Sequence, residues 1–463
     1  MQLGTQVSDP RYRFDLAPEQ MPEHWYNILA DLDFELPPDL PPPVSNHENG
    51  AFKMQVPMEI IRQSIGKMRY VPIPEEVRNA YRQWRPTPVF RAVNLEKALG
   101  TSARIYFKYE GGNTSGSHKL NTAIAQAYYY KKAGVKRLTT GTGAGQWGTA
   151  LSAACHMFGM ECKVYMVGIS YQQKPYRRSM MKLYGADVVA SPSTDTRIGR
   201  ELLEQDPGTK GNIALAIAEA LEDANSREDT RFCIGSGENY SILHQTIIGM
   251  EAQQQMEMAG YYPDVVVASL GAGSNFGGIT LPFLSDNLTG KRSTRFISVE
   301  PAACPKLSRG EYRYDYTDFS GVTPLEKMYT LGHNYVTPDI HAGGLRYHAT
   351  SKLVSALYDR GYLEAVAYQQ RDIFNSGALF CREEGILPAP ESAHAVHGAV
   401  MEAIKAREAG TSPTILALIS GHGYFDMTAY ESYMAGNMQD VHISDEQIQA
   451  SLRTLPVVEE EGA

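Results

Sequence analysis

The sequence predicts an α/β fold with two doubly wound, mostly parallel-sheet domains behind an N-terminal Pro-rich lead segment. Three observations predict it. Short, nearly continuous apolar runs recur from about residue 80 onward, the pattern of strands buried on both faces. Longer stretches with helical spacing lie between them, and strand–helix alternation on this scale builds parallel sheets. Three of the helical stretches end at Gly134, Gly159 and Gly185, just ahead of the next apolar run, where an αβ loop favours glycine.

The elements follow in chain order. Residues 1–80 read as the lead segment, with FELPPDLPPPVS at 34–45. Proline at that density has no place in a ladder or a helix interior, so this stretch is expected to wrap the body. Strands are expected at 105–110, 137–140, 162–167, 186–190, 264–270, 295–300 and 414–420. Helices are expected over 122–134, 149–159, 174–185 and 240–260. The division places a smaller domain at 81–236 and a larger one at 237–463, with segments crossing between them. No internal repeat with a period of roughly 20–50 residues is visible.

Composition narrows the class. Of 463 residues, 43 % are hydrophobic and 21 % charged, ordinary for a globular chain and wrong for a disordered one or a coiled coil. The 41 Gly and 26 Pro follow no G-X-Y period, which excludes a collagen-like chain. A net charge of −9 argues against a nucleic-acid partner. No apolar run approaches the roughly 18 residues of a spanning helix. The start, MQLGTQVSDPRYRFD, lacks the apolar core of a secretion signal. Five scattered cysteines with no CxxC pair exclude a zinc or redox motif and suit buried thiols in a reducing cytoplasm. The expectation is a cytoplasmic protein with no metal site, no membrane and no nucleic acid.

Four strand ends carry unusual loops, and ligands of α/β folds sit at such ends. The first strand runs into GGNTSGSHKLNTA, which sets Lys119 at a helix start with Ser117 or Asn121 as possible cap. A cation there opposes the helix dipole, which lowers the lysine pKa and favours the free amine that a Schiff base needs. The second is GTGAGQWGTA (141–150), whose Gly143 and Gly145 expose backbone N–H groups before a helix as an anion cradle. The third is GAGSNFGG (271–278), which adds the Ser274 hydroxyl and the Asn275 amide and suits a phosphate monoester. Its glycine spacing is neither a dinucleotide fingerprint nor a P-loop. At the fourth, Ser420 precedes GHGYFDM, and its hydroxyl can bond a ring nitrogen without charging it. One lysine, two anion cradles and a strand-end hydroxyl together describe a pyridoxal phosphate site.

Several segments also resemble a known family. RPTPVFRAVNLEKALG (85–100) and the run through GSHKLNTA resemble the entry segment of fold-type II pyridoxal phosphate enzymes. GSHKLN, GTGAGQWG, GAGSNFGG, EEGILPAPESAHA and SGHG resemble the tryptophan synthase beta chain. APEQMPEHWYN (17–27), QKPYRRSMMKLYGADV (173–188), ILHQTIIGMEA (242–252) and HAGGLRYH (341–348) are similar to its second class, which works without an alpha partner. The resemblance runs from about residue 10 to 440. It implies that Lys119 is the Schiff-base lysine, with His118 beside the phosphate. Gly271, Ala272, Gly273, Ser274 and Asn275 match the phosphate loop. Thr142, Gly143, Ala144, Gly145 and Gln146 match the substrate-carboxylate loop, and Trp147 follows where the better-known class has His. Ser420 matches the partner of the pyridine nitrogen. Glu391 matches a carboxylate near the ring, with a purely structural acid as the alternative. The resemblance further implies a homodimer and leaves room for a monovalent cation.

The implied chemistry is β-elimination on L-serine, or an activated serine, through an aminoacrylate, followed by β-replacement with a small nucleophile such as indole. One departure bears on it. The family carries Glu just before the Thr142 position, whereas this chain has Gly141. Loss of an acid–base group costs about 10²–10⁴-fold in rate, and Gly141 is expected to leave open space there. Glu110, at a strand end, reads as a structural ion-pair partner rather than a substitute. The alternatives are a β-replacement enzyme using another nucleophile, a serine or threonine deaminase, and a catalytically silent cofactor-binding protein.

Overall fold

In the computed structural model, residues 12–41, 55–209, 211–318 and 323–458 are described. The apolar runs form two sheets. The larger orders its strands as Arg13–Phe14, Val89–Arg91, Arg104–Tyr109, Thr414–Ile419, Val265–Ser269, Arg295–Pro301 and Glu364–Tyr368. Its first two pairings are antiparallel and the other four parallel. The smaller sheet is parallel throughout, in the order Asp187–Ser191, Glu161–Val167, Arg137–Thr142 and Thr230–Phe232.

The strands are apolar on both faces because both faces are covered. Ile105, Phe107, Val265, Val267, Ile415 and Ile419 join one core cluster. Their neighbours Tyr106, Val266, Ala268, Leu416 and Leu418 join the other. Alternate residues thus serve opposite layers, as the period-two pleat requires. The helix Pro390–Ala409 lies close on one face, where a Cβ at Gly398 would stand 2.7 Å from both Val267 and Val299. The helices before Gly134, Gly159 and Gly185 end at Lys132, Met157 and Leu183, and all three glycines take positive φ.

Several expectations shift. The 137–140 strand extends to Thr142 and takes Gly141 into the sheet. The 240–260 helix breaks at Thr246 into Asn239–Gln245 and Ile247–Met258. Thr230–Phe232, Glu364–Tyr368 and the hairpin of Glu311–Tyr316 with Leu325–Thr330 were not expected. The 81–236 segment supplies strands to both sheets, since Val89–Arg91 and Arg104–Tyr109 pair in the larger one.

The described parts of the lead segment do wrap the body. Phe14 pairs with Val89 at the sheet edge, and the ring of Trp25 is fully buried beside His244. Leu40 bridges Leu325 despite its proline neighbours. Residues 1–11 and 42–54 of that segment lie outside the described residues.

Candidate active site

Parallel pairing in the larger sheet brings three of the four loops to one place, and the loop after Arg137–Thr142 of the smaller sheet reaches the same place through Gln146. Ile419 lies opposite Tyr109 in register, so the chain leaves both strands side by side. The His118 N–H then donates to the Ser420 carbonyl at 2.8 Å. Val265–Ser269 is the next strand over and leads through Leu270 into Gly271. A pocket opens between these ends, with about 510 Å³ of space counted out to the solvent at its mouth. Lys119, His118, Glu391, Ser420 and Gly271 through Asn275 all line it. So does Gln146, the first residue of the helix Gln146–Met157.

Both cradles have the backbone their glycines allow. Gly273 precedes the helix Ser274–Leu288 at φ +124, and Gly145 precedes its helix at φ +94. Only glycine adopts such angles cheaply, and each turn leaves helix-start N–H groups available for an anion. Polar atoms around the smaller pocket lack partners within the protein. Ser117 Oγ, His118 Nε2, Asn275 Oδ1, Glu391 Oε2 and Arg177 Nε are buried and unbonded. Buried polar atoms are rarely left so, and a polar, phosphorylated cofactor meets this set of donors and acceptors.

The charges are arranged for an amine. Burial brings Lys119 down to about 8, with Glu391 pulling it up and Arg177 pushing it further down. The main cause is therefore desolvation rather than the helix dipole invoked from the sequence. Burial likewise holds His118 at about 3, so its ring is neutral. Glu391 Oε1 accepts the Gly344 N–H at 2.7 Å. Ser420 Oγ lies 2.8 Å from Ser392 Oγ, within the layer facing the pocket. Arg177 donates to Asp426 at 2.6 Å, and Lys174 donates to the other oxygen of the same carboxylate at 2.6 Å.

A second, larger pocket meets the first at Lys119 and Gln146 and has an empty volume of about 1320 Å³. Gly141, Thr142, Gly143, Ala144 and Trp147 line it together with an apolar wall of Val167, Ile169, Ile213, Ile217, Phe232 and Ile234. Gly145 borders neither pocket and acts as the helix cap. Trp147 turns its Nε1 away to the Thr140 hydroxyl at 2.7 Å and packs its ring against Gly235.

Two expectations need correction. A Cβ on Gly141 would stand 2.7 Å from Ala216 C and Ile217 N, so no space is vacant in that direction. The helix Ile213–Asn225 has closed against the strand there. The helix Lys119–Lys132 carries no side-chain cap. Asn121 instead accepts from Arg85 and donates to Gln245, and Ser117 Oγ is unbonded. Glu110 is the ion-pair partner expected, held by Arg85 at 2.8 Å. The sequence reading missed Arg177, Ser236, Gly344 and Arg346 as pocket residues. Two of the segments carrying them, QKPYRRSM and HAGGLRYH, stood out in spelling, but nothing local said which side chains turn inward.

Residues 81–421 match the family described as "Pyridoxal-phosphate dependent enzyme". The "Tryptophan synthase beta chain 2" of Aeropyrum pernix is 52 % identical over 447 residues, covering 96 % of this chain and 99 % of that one. The protein of the same name from Methanosarcina acetivorans is 51 % identical over 437 residues, covering 94 % and 98 %. That from Thermotoga maritima is 51 % identical over 420 residues, covering 90 % and 99 %. Among solved structures, a fungal L-serine ammonia-lyase from Rhizomucor miehei superposes with a TM-score of 0.57 at 16 % identity, covering 76 % of this chain and 98 % of that one. That likeness is one of fold. With the family spanning both cradles and half of all residues shared along nearly the whole length, the chain belongs to the tryptophan synthase beta chain family of pyridoxal-phosphate dependent enzymes.

Proposed function

We propose that the chain joins L-serine to indole at the serine β-carbon, giving L-tryptophan and water. The observation that carries this reading is the pair of pockets meeting at Lys119: a small polar one and a large one with an apolar wall. A deaminase has no need of the second. Bound pyridoxal phosphate supplies the electron sink that lets the serine β-substituent leave.

The chain's own residues do the rest. Lys119, whose pKa, lowered to about 8, makes the free amine far more accessible near neutral pH than in an ordinary lysine, holds the cofactor and moves the proton at the substrate α-carbon. Gly271, Ala272, Gly273, Ser274 and Asn275 bind the phosphate. Ser420 bonds the pyridine nitrogen as a neutral hydroxyl, and Glu391 faces the ring. The N–H groups of Thr142, Gly143, Ala144 and Gln146 orient the substrate carboxylate, with Gly145 shaping the turn, while Trp147 and the isoleucine wall exclude water from the acceptor.

The test uses holoenzyme with L-serine, with and without indole, followed for tryptophan and pyruvate. Tryptophan made faster than pyruvate is the expected result, and pyruvate alone overturns it in favour of a deaminase. Gly141 brings no carboxylate to assist the leaving hydroxyl, so O-acetylserine should react faster than serine. Equal rates would remove any role for that position in the departure step.

The reading extends to a homodimer that needs no alpha partner, working in the cytoplasm. An exposed apolar stripe of Met58, Ile61, Ile65, Met68 and Tyr70 on the lead segment supports association. The free cysteines, four buried and one half-buried, suit a reducing compartment. Sedimentation of the pure chain at micromolar concentration should give a dimer, and a monomer there contradicts it.

A further inference from the structure

Lys306 is a fully buried lysine behind the phosphate loop. Its Nζ donates to the Leu270 carbonyl at 3.1 Å and stands 3.7 Å from the Glu300 carboxylate. That carboxylate is engaged elsewhere. It accepts from the Leu307 N–H, the Ser308 N–H and the Ser308 hydroxyl, at 2.9–3.1 Å. The ammonium therefore directs its hydrogen bond to a main-chain oxygen. A buried ammonium is costly unless paired, and an apolar side chain of similar length would fill the same space.

Leu270 joins the strand Val265–Ser269 to Gly271, the first residue of the cradle. The Leu270 carbonyl and the Gly271 N–H belong to one peptide unit, which is trans. In a planar trans peptide the two groups point in opposite directions. Holding the oxygen on the ammonium therefore fixes where the Gly271 N–H points. A cation on the oxygen also polarises the unit and strengthens its N–H as a donor.

We propose that Lys306 is a positioning residue for the cofactor phosphate, acting through the Leu270 carbonyl on the Gly271 N–H. The proposal rests on the reading of Gly271–Asn275 as the phosphate cradle. It predicts an effect confined to ligands that carry a phosphate.

The experiment titrates cofactor-free protein with pyridoxal phosphate and, separately, with pyridoxal, which lacks the phosphate. Lys306→Met should weaken pyridoxal phosphate binding roughly tenfold or more, the loss of one charge-assisted contact, and leave pyridoxal binding unchanged. Equal weakening of both ligands overturns the proposal, as does no weakening of either. Lys306→Gln keeps a donor for the same carbonyl without the charge and serves if the Met variant does not fold. If neither variant folds, Lys306 is a structural residue and the proposal fails. Wild-type protein that binds pyridoxal phosphate no tighter than pyridoxal would instead overturn the cradle reading itself.

Discussion

Lys119 shows how burial changes the use of a residue. A lysine in water loses its proton near 10.4, whereas this one is brought down to about 8 by the pocket around it. The rate at which cofactor-free protein captures pyridoxal phosphate should therefore rise with pH through about 8 and level off above it, and a rate still climbing steeply between about pH 9 and about pH 10, as for an ordinary lysine, contradicts this. Stability has the same origin. Between about 8 and the unfolded value of 10.5 the unfolded chain binds the extra proton, so the cofactor-free protein should gain stability as pH rises across that window. Gly141 shows how close approach does the same. Gly141→Ala adds only the Cβ that would meet the backbone of Ala216 and Ile217, and overpacking of this kind costs about 1–3 kcal/mol. Gly141→Glu should lose at least as much stability and make tryptophan no faster. An Ala variant that melts with the parent would mean the helix Ile213–Asn225 yields easily, and would restore the missing carboxylate as the better account.

At the scale of the element, the cradle proposed for the phosphate is a strand, a glycine turn and a helix start. Gly273 at φ +124 hands the chain to Ser274, whose hydroxyl sits 3.3 Å from that of Ser236. The buried Ser274 lines the pocket at the helix start, where a phosphate gains from N–H groups and dipole alike. Ser274→Asp sets a second negative charge against the phosphate. The cofactor should then be lost on dialysis while helix content is retained. Retention at wild-type occupancy would place the phosphate elsewhere. The helix Pro175–Leu183 plays a different part, since Arg177 on it and Lys174 before it reach across to Asp426 of the Ser420 loop. Those two pairs connect the lobe of the small sheet to that of the large one beside the pocket.

Across the whole molecule, a buried charge network underlies the site. Arg85 pairs with both Glu110 and Glu251, and Lys108 donates to Glu251 at 2.7 Å, all fully buried. Arg85 also holds Asn121, two residues past Lys119, at 2.9 Å. The network ties the strand Arg104–Tyr109, the helix Ile247–Met258 and the Lys119 helix together. Its two cations balance its two carboxylates, and the pairing holds Glu110 at about 2 against a burial cost that acts the other way. Glu251→Gln leaves two buried cations with one carboxylate, which costs about 3–5 kcal/mol. Urea denaturation should show a loss of that size, and a change below about 1 kcal/mol would mean water or rearrangement compensates.

The sequence by itself determined the layers and the chemistry-bearing loops of this protein. Ile105 and Phe107 on one face with Tyr106 on the other announce a strand covered on both sides, because the pleat has a period of two wherever it occurs. Lys119 and the two glycine cradles are legible for the same reason: a turn, a helix start and their exposed N–H groups are local geometry. What only the tertiary structure decided are relations between distant residues. Gly141 looks like vacant space until Ala216 and Ile217 are set against it. Arg177 looks like a surface cation until Asp426 draws it beside the pocket. Lys306 looks like any lysine until its ammonium meets the Leu270 carbonyl. The physical reason is that backbone periodicity is set within a few residues. Desolvation, steric closure and ion pairing depend instead on which surfaces the fold presses together.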